Sequence, residues 1–227
     1  MDAYRTEEEQ VEAIKRWWND NGKGVLAAVV IGVLGSLGWQ SWQGRQEAQS
    51  EAASGIYQQL LALSSQELTS DSDKVRLDEL VASLTEDYSG TGYAELARLL
   101  QISSWVSQGR TQDALGALET LEHRVADDAA MYPVVKLRRA RLQAALGDTA
   151  QAMRAFESLA GTSVAAAAWQ ARADIHIVQQ EYSSAAEALS LALAADDSSD
   201  LQADLEVKLA FVKARQDIDI NTPNSGD

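Results

Sequence analysis

Two hydrophobic patterns divide the chain. From Gly24 to Gly44, 21 positions pass without a charged residue, and Val25 to Leu37 is almost wholly apolar. As a helix this stretch would be about 31 Å long at 1.5 Å per residue, close to the hydrocarbon thickness of a bilayer. Beyond Arg45 the apolar residues recur at helical spacing between short polar breaks. That pattern predicts a stalk over Gln46–Ser65 and helices near Lys74–Asp87, Tyr93–Gln108, Thr111–Val125, Tyr132–Leu146, Thr149–Leu159, Ala165–Gln180, Ser183–Ala194 and Leu201–Arg215. The first break, Ser65–Asp73, is rich in Ser, Thr and Asp. Ahead of the apolar stretch, Thr6 and Glu9 fit a capping box, with Val11, Ile14, Trp17 and Trp18 at helical spacing behind them. The expected organisation is a tail over 1–23 with a short interfacial amphipathic helix, a transmembrane helix over 24–44, a helical domain over 45–215 and a disordered tail over 216–227.

Within the helical domain the pattern repeats. Tight turns are expected at Gln108-Gly109-Arg110, Leu146-Gly147-Asp148 and Gln180-Glu181-Tyr182. Counting from the middle residue of each, an alanine follows at Ala114, Ala152 and Ala186, and a leucine at Leu121, Leu159 and Leu193. The turn-to-turn periods are 147 − 109 = 38 and 181 − 147 = 34, and the second matches the tetratricopeptide period. In such repeats a small alanine lets the two helices of a hairpin cross closely. Phe156 takes the aromatic place of the repeat, which Leu118 and Ser190 take in the other units. Departures are a degenerate first repeat helix, Trp169 one position out of place, and no closing proline. The fold expected is all-α: one N-terminal transmembrane helix, then a tetratricopeptide-like α-solenoid of stacked hairpins whose groove suits peptides or partner helices.

The ends of the apolar stretch separate an anchor from a signal peptide. Trp17 and Trp18 precede it and Trp39 and Trp42 close it, where indole rings sit at the two membrane interfaces. The residues after the apolar core, Gly38-Trp39-Gln40-Ser41-Trp42, are bulky where a signal peptidase requires small side chains. Arg5, Lys15, Arg16 and Lys23 precede the span, and only Arg45 follows it before Lys74, so the tail is expected in the cytoplasm and the domain outside. Gly24, Ala28, Gly32 and Ser36 recur every four residues along one face, a stripe that would let another membrane helix approach. Gly35 and Gly38 extend a second small ridge.

Composition then narrows the chemistry. Pro133 and Pro223 are the only prolines, so long helices can run without interruption, and residues that favour helices dominate after position 45. With no cysteine, disulfides, thiolate metal sites and thiol catalysis are excluded. The net charge of −15 lies mostly beyond Arg45, where 15 basic and 28 acidic residues leave −13; residues 1–23 carry 4 and 6, leaving −2. No nucleic-acid partner is expected, because phosphate binding needs a basic face. His123 and His176 are 53 residues apart and are read as hydrogen-bonding side chains rather than metal ligands. Asp196, Asp197 and Asp200 lack the spacing of a calcium loop and are read as capping acids before Leu201. Of Arg138, Arg139 and Arg141, at least one is expected to pair with acids. No nucleophile–base constellation stands out, and no catalytic residue, cofactor, metal or small-molecule substrate is expected.

Other stretches carry a family likeness. Gln10-Val11-Glu12-Ala13-Ile14-Lys15-Arg16 before Trp17-Trp18, then Asn21-Gly22-Lys23, Gly38-Trp39, and Leu137-Arg138, Ala140-Arg141 and Gln143 leading to Ala152 resemble the YfgM-type ancillary subunit of the bacterial Sec translocon. The resemblance implies a cytoplasmic tail, one inner-membrane anchor and a periplasmic tetratricopeptide-like domain. It also implies association with SecYEG and with a PpiD-like membrane-anchored periplasmic chaperone of the prolyl-isomerase type. Newly exported client polypeptides would pass to periplasmic chaperones, with no enzymatic step. Two other roles fit the same layout: an envelope-stress regulator acting through its tail on an RcsB-type protein, and a periplasmic cell-wall or division scaffold.

Overall fold

A computed structural model describes residues 3–65, 70–195 and 199–221. Among these residues the chain is all-α. A first helix, α1 (Ala3–Ser64), leads into α2 (Asp71–Glu86), α3 (Gly92–Ser107), α4 (Thr111–Arg124), α5 (Met131–Ala145), α6 (Thr149–Ser158), α7 (Ala165–Val178), α8 (Tyr182–Ala195) and α9 (Ser199–Asn221). The side chains of Thr6, Glu9 and Asp200, residues 66–69 of the first break, Asp196, Asp197 and the tail from Thr222 lie outside the described residues.

The segments expected as tail, span and stalk are one uninterrupted helix. α1 has 62 residues and is therefore about 93 Å long. The polar Asn19–Asn21 run does not break it, because no proline intervenes and the Asn21 side-chain amide donates to the Trp17 carbonyl one turn back, at 3.1 Å. The Trp18 indole lies over Gly22 so closely that a Cβ there would stand 3.2 Å from the ring. The solenoid buries the last turns of α1: Ala53 and Leu60 pack with Leu77, Val81 and Leu84 of α2 and Ala97 of α3.

From there each helix packs chiefly on its neighbours in sequence, the signature of a solenoid. Leu99 and Ile102 of α3, Ala114, Leu118 and Leu121 of α4 and Val135 and Leu142 of α5 form one core. Leu137 and Ala140 on the other side of α5 join Ala152, Ala155 and Phe156 of α6 and Ala168 and Ala171 of α7 in the next. Ala173 of α7 joins Ala185, Ala188, Leu189 and Ala192 of α8 and Leu205 and Val212 of α9 in the last. α5 and α7 thus serve two cores each, which is why their apolar residues surround so much of the helix.

Three hairpins share one turn geometry. After α3, Gly109 N–H donates to the Val106 carbonyl and Arg110 N–H to Trp105; after α5, Gly147 donates to Ala144 and Asp148 to Gln143. After α7, Gln180 donates to Ile177 and Glu181 to His176. Each set is a helix C-cap whose central residue is left-handed: Gly109 at φ 76°, Gly147 at 92° and Gln180 at 61°.

The third turn corrects the expected register by one residue. Its left-handed position is Gln180 rather than Glu181, so the second period is 180 − 147 = 33. Counting from these positions, Ala114, Ala152 and Ala185 coincide and all are fully buried. Leu118, Phe156 and Leu189 coincide next, then Leu121, Leu159 and Ala192, all buried. Ala186 and Leu193, expected at those places, pack against the same core from partly buried positions, and Ser190 is exposed. Trp169 then falls eleven residues before its turn, as do Lys136 and Arg98 before theirs, so its apparent displacement disappears. Absence of glycine hid the turn: Gln180 adopts a backbone that its sequence does not advertise.

α9 also outruns its expected end at Arg215, continuing through Asn221. Gln216 to Asn221 holds no proline to stop it.

Candidate functional site

Two surfaces outside the cores can meet another molecule. The first is the anchor. Among the described residues α1 is the one helix long and apolar enough to cross a membrane. Leu26, Val29, Val30, Ile31, Val33, Leu34 and Leu37 are all exposed along it, as are Trp17, Trp18, Trp39 and Trp42. Trp39 and Trp42 contact each other at the far end, with ring centroids 5.2 Å apart. Around the Gly24 and Gly32 positions an added Cβ would meet nothing within 4 Å. Ala28 and Ser36 are exposed on the same face, with the Ser36 hydroxyl donating back to the Val33 carbonyl at 3.2 Å. The stripe is therefore open to a neighbour.

The second is a groove of about 410 Å³ between α5, α6 and α7. Its apolar floor comes from Ala144, Phe156, Ala171, Ile175 and Val178, with Arg141 and Asp174 at its rim. Val178 is 83% exposed, unusual for a valine at the end of a packed helix. The Arg141 guanidinium donates to the Ala167 carbonyl at 3.2 Å, and Asp174 accepts from Lys208 at 3.1 Å. An apolar floor between a cationic and an anionic rim can hold an extended polypeptide: side chains go into the floor and backbone amides meet the rim. Sequence patterning did not find this groove, because its floor draws from three helices. Val178 was the available signal, an apolar residue immediately before a turn.

The remaining polar residues hold helices together. Arg139 sits with its Nε 2.7 Å from Glu122 and an Nη 3.7 Å from Glu119, tying α5 to α4 as expected for one of the three arginines. Arg138 is exposed. Glu95 pairs with Arg98 at 3.6 Å and with Arg124 at 3.9 Å, joining α3 to α4. Buried His176 has its Nδ1 2.6 Å from a Glu181 carboxylate oxygen, so it fastens the end of α7 to the start of α8. His123 is exposed on α4. No three metal-capable side chains converge among the described residues.

Stacked hairpins with recurring close alanines, on one apolar N-terminal helix, define a membrane-anchored tetratricopeptide-like protein. The tetratricopeptide repeat-like domain family matches residues 15–214, and the chain belongs to it. Two relatives bear the name ancillary SecYEG translocon subunit. The one from Escherichia coli strain K12 is 27% identical over 168 residues, covering 73% of this chain and 77% of its own. The one from Haemophilus influenzae is 28% identical over 164 residues, covering 71% and 76%. No solved structure gives a significant match. The likeness read from the stretches at the front of the chain and around Leu137–Ala152 thus reappears over most of its length.

Proposed function

We propose that this protein is a non-enzymatic ancillary subunit of the SecYEG translocon in a bacterial inner membrane. Its tail lies in the cytoplasm and its solenoid in the periplasm, in accord with the lysines and arginines before Gly24. The solenoid holds its groove near emerging exported chains and helps pass them to periplasmic chaperones, beside a PpiD-like membrane-anchored partner. The observation that carries this reading is the continuity of α1. The same helix forms the span and, through Ala53 and Leu60, the first core of the solenoid. Such a helix holds a domain at a set height above the membrane, whereas a flexible linker would let it wander.

The Gly24, Ala28, Gly32 and Ser36 face is the proposed contact within the membrane, and the four tryptophans fix the depth of the helix. Gly32→Leu should hold a neighbouring helix away and reduce co-purification of SecYEG or the PpiD-like partner in mild detergent by about tenfold, equivalent to 1–2 kcal/mol. Val33→Leu is the control and should retain them. Alkaline phosphatase fused after Asp227 should be active. Recovery of no translocon component with the unaltered protein would sink the proposal, as would an inactive fusion.

A further inference from the structure

α9 is apolar on two opposite faces. Leu205 and Val212 are buried and Leu201 and Leu209 partly buried, all against the α7–α8 hairpin. Half a turn away, Ala203, Val207, Ala210, Phe211 and Ala214 are exposed, Val207 by 70% and Phe211 by 50%. A helix apolar on both faces is built to be covered on both. α5 and α7 show the arrangement: each packs on the helix before it and the helix after it, while α9 packs on the α7–α8 hairpin through one face only. The open end of a solenoid ordinarily carries a polar outer face.

We infer that the outer face of α9 pairs with α9 of a second copy of this chain, antiparallel and about a two-fold axis. The stripe is complementary to itself. A register setting Val207 of one copy against Ala210 of the other also sets Ala203 against Ala214, so each valine meets a small side chain and the alanine pairs let the helices approach closely. Phe211, which carries the Arg215 guanidinium over its ring at 5.4 Å, then lies among alanines of the other copy. The charges agree with the same register. Glu206 and Lys213 are exposed on one flank of the stripe, seven residues apart and too distant to pair within their own helix. Across the two-fold axis Glu206 of each copy comes beside Lys213 of the other, giving two ion pairs. An unrelated helix would have no reason to match small against large and acid against base in both directions, whereas an isologous contact does so by symmetry. Two faces of little more than three turns are small beside the roughly 1,200 Å² of a stable interface, so the pairing is reversible.

The chain has no cysteine, so one introduced thiol reads the contact in the full-length protein in mild detergent. With a short bis-maleimide, Ala210→Cys should give a covalent dimer, and Ser190→Cys, exposed on α8, should not. Adding Val207→Glu to Ala210→Cys should lower the cross-linked fraction about tenfold, since a carboxylate would enter the apolar contact. Adding Glu206→Lys should weaken the dimer, and combining it with Lys213→Glu should restore it. Mixed Ala203→Cys and Ala214→Cys copies should cross-link to each other, which checks the register independently. No dimer from Ala210→Cys overturns the inference, as does one insensitive to Val207→Glu or not restored by the charge exchange. Cross-linking in native membranes to a different polypeptide in place of a second copy also overturns it.

Discussion

The second and third hairpins of the solenoid solve one packing problem with different residues. In α5–α6 a glycine makes the turn, an alanine the close crossing, and Phe156 fills the space beyond it. In α7–α8 a glutamine makes the turn, Ala185 the crossing, and Leu189 takes the place of the phenylalanine. The volume lost there is matched by Trp169, which packs against the same core, while Arg172 lies over its ring at 5.3 Å. The difference teaches that the repeat conserves shape rather than residue type. What must recur is a left-handed residue, a small residue five positions on, and buried apolar groups at nine and twelve.

Substitutions at corresponding places test that equivalence. The largest effect belongs to the buried side chains. Phe156→Ala should cost about 3–5 kcal/mol and Leu189→Ala about 2–5 kcal/mol in denaturant unfolding, each leaving a cavity in its hairpin. Ser190→Ala should change stability by less than about 0.5 kcal/mol, because its hydroxyl is exposed and only donates back to the Ala186 carbonyl. A large loss at Ser190 with none at Leu189 would restore the register first expected from the sequence.

A smaller effect is expected at the crossings. Ala152→Leu and Ala185→Leu should each overpack a fully buried site and cost about 1–3 kcal/mol. Ala186→Leu should cost clearly less, since its partly buried position leaves room for the longer side chain. Equal losses at Ala185 and Ala186 would mean that the two hairpins are not equivalent.

The smallest effect is a gain. Gln180→Gly should stabilise the protein by up to about 1 kcal/mol, because a left-handed backbone strains a side chain bearing a Cβ and does not strain glycine. Gly147→Gln should lose a comparable amount. If Gln180→Gly destabilises instead, its side chain contributes more than its backbone strain costs.

Much of this architecture was legible in advance. The apolar run from Val25 to Leu37 and its flanking tryptophans marked the span, and the helical periodicity beyond Arg45 located α2 to α8 to within a few residues, because burial demands apolar residues at the period of the helix. Gly109 and Gly147 marked their turns, since glycine is the usual residue for a left-handed cap. Gln180 gave no such mark, and one misplaced turn displaced Ala185, Leu189 and Ala192 together. The groove was hidden for another reason: Arg141, Phe156 and Val178 come from three helices, and nothing local says that they converge.

The amino-acid order alone therefore determined the local terms: which segments become helices, which one is apolar enough for a membrane, and where glycine permits a turn. These depend on residues within a few positions of one another. The tertiary structure decided three things. The polar run after Trp18 does not break α1, the third hairpin is displaced by one residue, and Val178 and the outer face of α9 remain uncovered. The last two depend on how distant segments pack against one another, whereas α1 runs on because no proline intervenes and Asn21 bonds back to Trp17. A left-handed glutamine is accepted because the core formed by Ala185, Leu189, Ala192, Leu205 and Val212 offsets its strain.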